Sequence, residues 1–424
     1  MQHPQPAAAH TAAVAVEDLG PRIPIYTSEF AADPHRYYRE MRRQYGSLVP
    51  VEIWPGFDAT LVISYNTAKN ILSDSTRFSA DPRRWQATLS PEQLAAPIMP
   101  MIEYRPNALR SDGEEHRRYR TATLDALEKV DLGAVRRSVE RIAVQRINQF
   151  IERGEADLLK DYAAPLTFEV LNEIVGCPAH IGREVAAASS ALFEGVDTAT
   201  VNIMFDEAFT GLAHLKKVVP GDDVTTRLLE HGAGLSDVEM VHQLVTCYSA
   251  GHEIPTNLIA NTLYLMMTDP RFITTRDSSQ LMTRTALLET LANEPPLANY
   301  CITYPRGPVV VENIGDQSVW LPADQPVITS MAACTTNPDV NTGDFADGRW
   351  NLAWGTGPHT CPEPAQKIAE LTAHEAIDFL FDAVPDVEPN FPANQMLWRP
   401  GPFHRALAAL PVKFPPAVPI TYFG

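Results

Sequence analysis

Apolar residues recur every third or fourth position through most of this chain, and the few stretches that break the rhythm are short. The longest regular run is LSDVEMVHQLVTCYSAGHEIPTNLIANTLYLMMT, residues 235–268, which opens on Ser236, a residue suited to capping a helix. Similar spacing predicts helices over residues 33–46, 67–72, 112–127 and 281–292, two within 133–176 and two more within 181–218. In the 133–176 region Val135, Val139, Ile142, Ile147 and Phe150 mark one buried face. Gly221-Asp222-Asp223 opens a further helix. Two β-like runs, residues 48–53 and 59–63, flank a Pro55-Gly56 turn. Residues 81–111 are rich in Pro, Met and Arg, show no period and read as a loop. A last helix follows Cys361, with Ala369, Ala373, Ala376, Ile377 and Leu380 at helical spacing. The expected fold is mainly α with a small β region.

Composition narrows the possibilities. The 424 residues are 45% apolar, enough for a large core, and neither an internal repeat nor an interior low-complexity linker divides them. One domain over residues 25–424 is expected, behind a flexible arm, 1–24, rich in Ala, Pro and His. A net charge of −18 argues against a nucleic-acid partner. The five cysteines are odd in number and irregular in spacing, which suits a reducing compartment. There is neither an apolar run long enough for a membrane span nor a secretory leader, so a cytoplasmic protein without a membrane partner is expected.

The chemistry concentrates at Trp354-Gly355-Thr356-Gly357-Pro358-His359-Thr360-Cys361. Two glycines permit a tight loop, and Pro362 suits the first position of the helix that follows. A helix N-terminus beside Cys361 favours a thiolate. Taken alone, Cys361 also fits a small buried apolar residue, or half of a zinc site with His359, although no second Cys or His pair stands at zinc spacing. A phosphate loop would need Lys followed by Ser or Thr, and neither is present.

The string W-G-T-G-P-H-T-C resembles the haem-binding loop of the cytochrome P450 family, F-G-x-G-x-[HR]-x-C-x-G. That resemblance implies a P450-type single haem domain with haem b as cofactor. It makes Cys361 the axial thiolate, Trp354 the aromatic under the haem beside Gly355, and His359 a propionate contact. His116 and Arg120, one helical turn apart in DGEEHRRYR, match the family's propionate-binding H-x-x-x-R. Ala250-Gly251-His252-Glu253 resembles the oxygen-binding A-G-x-[DE]. Small residues there let a ligand approach the backbone, and Glu253 handles protons; the other reading of Glu253 is a helix-surface acid. In residues 81–111, which the family folds over its substrate, Met99, Met101, Ile102 and Tyr104 are candidate pocket residues. The implied activity is that of a soluble bacterial oxidase, a monooxygenase or oxidative-coupling enzyme of secondary metabolism. Its substrate would be a small organic molecule, aromatic metabolites among the candidates. Electrons would come from a ferredoxin and an NAD(P)H-dependent ferredoxin reductase. Arg117, Arg118, Arg136, Arg137, Arg141, Arg146 and Lys367 are either a solvated face or a basic docking patch for an acidic donor.

Several family residues are replaced. Ile254 and Pro255 follow the acid where the family has threonine, so the next hydroxyl is on Thr256. Pro255 frees a carbonyl one turn back, which a water would occupy in place of the missing hydroxyl. Glu289 matches the acid of E-x-x-R, but Ala292 stands at the arginine, leaving Glu289 in need of another partner or an exposed setting. Thr303 takes the place of a propionate-binding arginine, and Arg306 is the nearest compensating cation. These losses leave open a second class, a non-catalytic haem-binding partner that assists another enzyme. Near the sulfur, Pro362 and Pro364 lack amides and Glu363 replaces glycine. Fewer donors leave more charge on a thiolate, which predicts a more negative iron potential than the family's usual. Redox titration checks this: Pro362→Ala should raise the potential, and an unchanged value contradicts it.

Overall fold

The computed structural model describes residues 13–193, 198–273, 279–313, 317–341, 351–392 and 398–421. In chain order the elements that position the site begin with strand β1 (Ile23–Pro24), helix α1 (Pro34–Tyr45), β2 (Leu48–Trp54), β3 (Phe57–Val62), α2 (Tyr65–Ser73) and β4 (Phe78–Ser79). Then come α3 (Gly113–Glu128), α4 (Leu132–Ile147), α5 (Ala164–Val175), α6 (Ala179–Phe193), α7 (Thr198–Val218), α8 (Asp237–Tyr248) and α9 (Ile254–Thr268). The last are α10 (Ser279–Asn293), β5 (Asn299–Pro305), β6 (Val327–Ser330) and α11 (Glu363–Ala383). Mainly helical with one principal sheet, the architecture is the expected one.

That sheet runs β1-β2-β3-β6-β5-β4. Its β2–β3 hairpin turns at Pro55-Gly56, where Gly56 has φ 79°. Asp33 caps α1 through the Arg36 amide, and Gly46, with φ 80°, ends it. The N-terminal boundary differs from the expected arm. Residues 1–12 lie outside the described residues, but Val14–Ala15 pair in parallel with Val319 and Trp320, and Val16 is fully buried. The apolar Val14 and Val16 therefore tie residues 13–24 to the sheet region.

A second apolar body packs α4, α5, α9 and α11 together. Val139, Ile142, Ile147, Leu258, Ile259, Leu263, Ala373, Ile377 and Leu380 are all buried in it. Because α9 is covered all round, its sequence is apolar all round. The long run predicted over 235–268 is one helix interrupted. Ser236 and Glu239 form a capping box at its start, and Ser249–Glu253 between α8 and α9 is a π-turn. Pro255 lacks the amide that would bond one turn back, so the ladder slips to wider spacing just before it.

The brace expected near α10 is rebuilt from other residues. Glu289 pairs with the exposed Arg271 at 2.6 Å, so it has another partner while its own side chain is only 15% exposed. Glu294, at the helix end, instead holds Arg405 and, at 3.1 Å, His35. Arg405 is 7% exposed, donates also to the Ala31 carbonyl and lies 3.4 Å over the Trp398 ring. This pair joins the chain's two ends to the helix preceding β5. Removing one partner of such a pair leaves the other charge uncompensated. Arg405→Met should therefore lower the stability by about 3 kcal/mol in urea unfolding, whereas Arg271→Met, at the surface, should lower it by about 1 kcal/mol or less.

Candidate haem site

The loop before α11 is held by its own backbone. The Cys361 amide donates to the Trp354 carbonyl at 2.8 Å, and the Gly355 amide to that of Leu352 at 2.8 Å. Gly355 and Gly357 have φ of 69° and 75°, and a Cβ on Gly357 would run into the Leu72 carbonyl at the end of α2. Glycine is therefore required at Gly357 twice over, by angle and by space. The helix begins one residue later than expected, with Pro362 at its N-cap and Glu363 as its first residue. Burial pushes the Cys361 thiol up to about 11, Arg120 opposing it. The dipole thus does not by itself produce a thiolate; a metal bound to the sulfur would. Among the described residues no amide donates to the sulfur, whose own contact is with the Pro362 carbonyl at 3.9 Å.

Above this loop the structure brings together the three nitrogen side chains that the motifs single out. His116 and His359 lie with ring centroids 4.1 Å apart, and Arg120 Nη2 donates to the Thr360 carbonyl at 2.6 Å. His116 Nε2 and His359 Nδ1 are buried without a hydrogen-bond partner. Burial, with His359 and Arg120 nearby, lowers His116 to about 4, so it is neutral at pH 7. His359 Nε2 faces Asp112 Oδ1 at 3.5 Å. Burial raises the Asp112 carboxyl, but bonds from His359, Ser79 and the Ala80 amide outweigh it and hold it down at about 2. Arg306, expected to compensate for Thr303, is spent elsewhere: it bonds Asp112 at 2.9 Å and the Ser75 carbonyl, and is largely exposed.

Across the site runs the π-turn. Ala250 is exposed there, while Gly251 abuts α5: its Cβ would sit 2.9 Å from Leu171, so the glycine serves helix packing. Thr256 is 3% exposed and shares a 2.6 Å bond with Thr167 of α5, so its hydroxyl is committed to α5. Sequence reasoning missed the partner of Glu253. Arg399, from the C-terminal segment, pairs with Glu253 Oε1, which also accepts from Asn257 at 3.0 Å. Burial raises the Glu253 carboxyl, but Arg399, Asn257 and His252 leave it below the usual carboxylate range. His404, lowered by burial to about 4, stands beside the same pair.

Other expected groupings do not form. Met99 and Ile102 are 1% exposed within the sheet-side core, Met101 is exposed, and Tyr104 is bonded to Glu115 at 2.9 Å, so these four do not line one pocket. Each basic residue of the suggested docking patch has a carboxylate: Arg117 with Glu114, Arg118 with Glu239, Arg136 with Glu375, Arg137 with Asp131, Arg141 with Glu173, Arg146 with Glu169 and Lys367 with Glu363. A neutralised face is what this pairing makes.

No family model matches the chain. Among curated proteins it is 26% identical over 406 residues to cytochrome P450 107B1 of Saccharopolyspora erythraea, covering 93% of this chain and 98% of that one. It is 27% identical over 420 residues to the cytochrome P450 monooxygenase PikC of Streptomyces venezuelae, covering 95% of each. Among solved structures, CYP154C4 from Streptomyces sp. W2061 superposes with a TM-score of 0.80 at 25% identity, over 95% of this chain and all of that one. Over almost its whole length the chain is similar to bacterial cytochrome P450s. Its curated relatives also include the oxidoreductases 6-deoxyerythronolide B hydroxylase and mycinamicin IV hydroxylase/epoxidase. P450s bind haem b. The residues here fit it: two buried nitrogens without partners and a guanidinium await an anionic edge, beside a thiol on a glycine-shaped loop.

The Glu253–Arg399 pair sets a pH dependence in this chain. A carboxyl held low in the folded chain contributes stability above its unfolded value of about 4.3 and loses it as pH falls further. The stability difference between native chain and Arg399→Met should therefore be full at neutral pH and shrink on acidification through about pH 4. A pH-independent difference contradicts the pairing.

Proposed function

We propose that this chain is a cytochrome P450 with one haem domain, joined by residues 13–24, in which Cys361 would anchor the iron beside the Trp354–Gly355 turn, while His116, Arg120 and His359 would hold the propionates. The observation that carries this is the pair of buried, unpartnered nitrogens, His116 Nε2 and His359 Nδ1, on rings 4.1 Å apart, His359 being two residues before the thiol. When bound, haem supplies reductive activation of dioxygen. The chain's part is to exclude water, hold substrate and deliver protons. Ala250 leaves the π-turn open toward the site, and Glu253 moves protons from the Arg399 side of that turn. Ile254 offers no hydroxyl at the neighbouring position, and Thr256 is bonded away, so the further donor is a water on a carbonyl freed near Pro255 or a group on the substrate.

The substrate is a small organic secondary metabolite, as the names of the relatives suggest: a 2-hydroxy-5-methyl-1-naphthoate 7-hydroxylase, 6-deoxyerythronolide B hydroxylase and mycinamicin IV hydroxylase/epoxidase stand among them. Hydroxylation and oxidative coupling both remain within this reading. Electrons come from a ferredoxin and an NAD(P)H-dependent reductase in the cytoplasm; no helix among the described residues is long and apolar enough to cross a membrane. Because the basic residues of the suggested patch are paired, docking relies on shape and on exchange of those pairs rather than on a bare cationic face. The commitment of Thr256 to α5 also favours a second reading, a haem-binding partner protein without turnover of its own.

Reconstitution with a ferredoxin pair, after a Soret-shift screen of aromatic metabolites and cyclic peptides, separates the two. Product formation should fall about a hundredfold in Glu253→Gln and stay near native in Thr256→Val. Oxygen consumption uncoupled from every ligand that shifts the Soret band would overturn the oxidase reading in favour of the partner protein.

A further inference from the structure

Arg110 is a buried cation for which the described residues supply no anion. It is 4% exposed, and its Nη2 donates to the Tyr300 hydroxyl and the Met101 carbonyl, both neutral acceptors. Its guanidinium carbon stands 5.2 Å from the Tyr300 ring centroid. Among the described residues no carboxylate pairs with it; Glu103 feels its charge but is bonded to Arg105 at 2.8 Å. Buried charges are ordinarily paired, because an isolated one is expensive to desolvate. The loop also holds Arg110 firmly. Its amide donates to Asn107 Oδ1 at 3.0 Å, and Asn107 Nδ2 is fastened to Thr246 of α8 at 2.8 Å. Such rigidity suits a group arranged in advance for a ligand.

The strand that Arg110 touches is the one that should carry a cation and does not. Thr303, in place of the family's arginine, has a buried hydroxyl without a partner, and so does Tyr304 next to it. The same strand bulges at Cys301, whose φ is 45°, and Cys301 Sγ lies 3.3 Å from where a Cβ on Gly355 would be. Tyr300, which Arg110 bonds, is the chain neighbour of Cys301, so the guanidinium sits on the strand that abuts Gly355 of the haem loop. A cation without an anion and two hydroxyls without partners thus gather on this strand, while Arg306 is tied to Asp112.

We infer that Arg110, from the segment before α3, binds the carboxylate edge of the haem in place of the arginine missing at Thr303. This rests on the reading that Cys361 and its loop hold haem, and Arg120, His116 and His359 serve the remainder of the same anionic edge. The prosthetic group is thereby gripped by the segment before α3, which Asn107 fastens to α8, so the order of that segment and haem retention are linked.

The test is the rate of haem transfer to excess apomyoglobin, with the midpoint potential as a second readout. Arg110→Gln keeps donors for Tyr300 and Met101 but removes the charge. It should bind haem with a native-type Soret band, release it about tenfold faster, the scale of one charge-assisted hydrogen bond, and show a more negative potential. Arg110→Lys keeps the charge and should stay within about threefold of native. Adding Thr303→Arg to Arg110→Gln should restore both release rate and potential, an outcome that mere structural damage at position 110 would not produce. Native release from Arg110→Gln, or tenfold faster release from Arg306→Gln instead, overturns the inference while leaving the haem reading intact. Loss of haem uptake by the unaltered chain is the different failure, that of the reading itself.

Discussion

Buried nitrogens without hydrogen-bond partners are costly in an interior, and His116 and His359 present two of them close to the half-buried thiol of Cys361. The Gly355–Gly357 turn creates the arrangement. Its left-handed glycines fold the loop against the end of α2, and the Cys361 amide closes it on Trp354. The consequence is a cluster whose groups are satisfied together by one planar anionic ligand with a thiophilic metal, and separately by nothing nearby.

The other half of the site depends on a broken helix. Pro255 cannot donate to the turn before it, and the run from Ser236 to Thr268 therefore contains a π-turn at Ser249–Glu253. That irregularity sets the direction of each side chain after it. Thr256 turns to Thr167, Asn257 and Arg399 hold Glu253, and Gly251 makes room for Leu171. A threonine-to-isoleucine change at one position of a regular helix would remove only a hydroxyl. Here the proline beside it alters the backbone as well, and the neighbouring acid, Glu253, is held from the C-terminal segment by Arg399.

What was legible in the chain is what local chemistry determines. The Cys loop, the His116–Arg120 spacing, the caps at Asp33 and Ser236 and the covered face of α4 each depend on residues close in sequence, and the structure has them as read. What depended on distant partners was not legible. Nothing near Glu253 announces Arg399, 146 positions away, nor does anything near Glu294 announce Arg405. Arg306 looked like the replacement for a missing arginine because it is close in sequence; tertiary contact gives it to Asp112 instead. Met99 and Ile102, in a stretch without period, carried no signal of direction, and they turn into the sheet-side core. The arm shows the same limit: Val14 and Val16 are too few for a periodic pattern, yet a partner strand at Val319 orders them.

The account stands or falls on sulfur of Cys361 meeting iron in that glycine-shaped loop. The direct measurement is the absorption spectrum of the reduced, carbon monoxide-treated protein after reconstitution with haem, taken beside Cys361→Ser. A strongly red-shifted Soret band in the native chain that is absent from the serine variant is the predicted result. An identical band in both proteins, or no uptake of haem by the native chain, would contradict it.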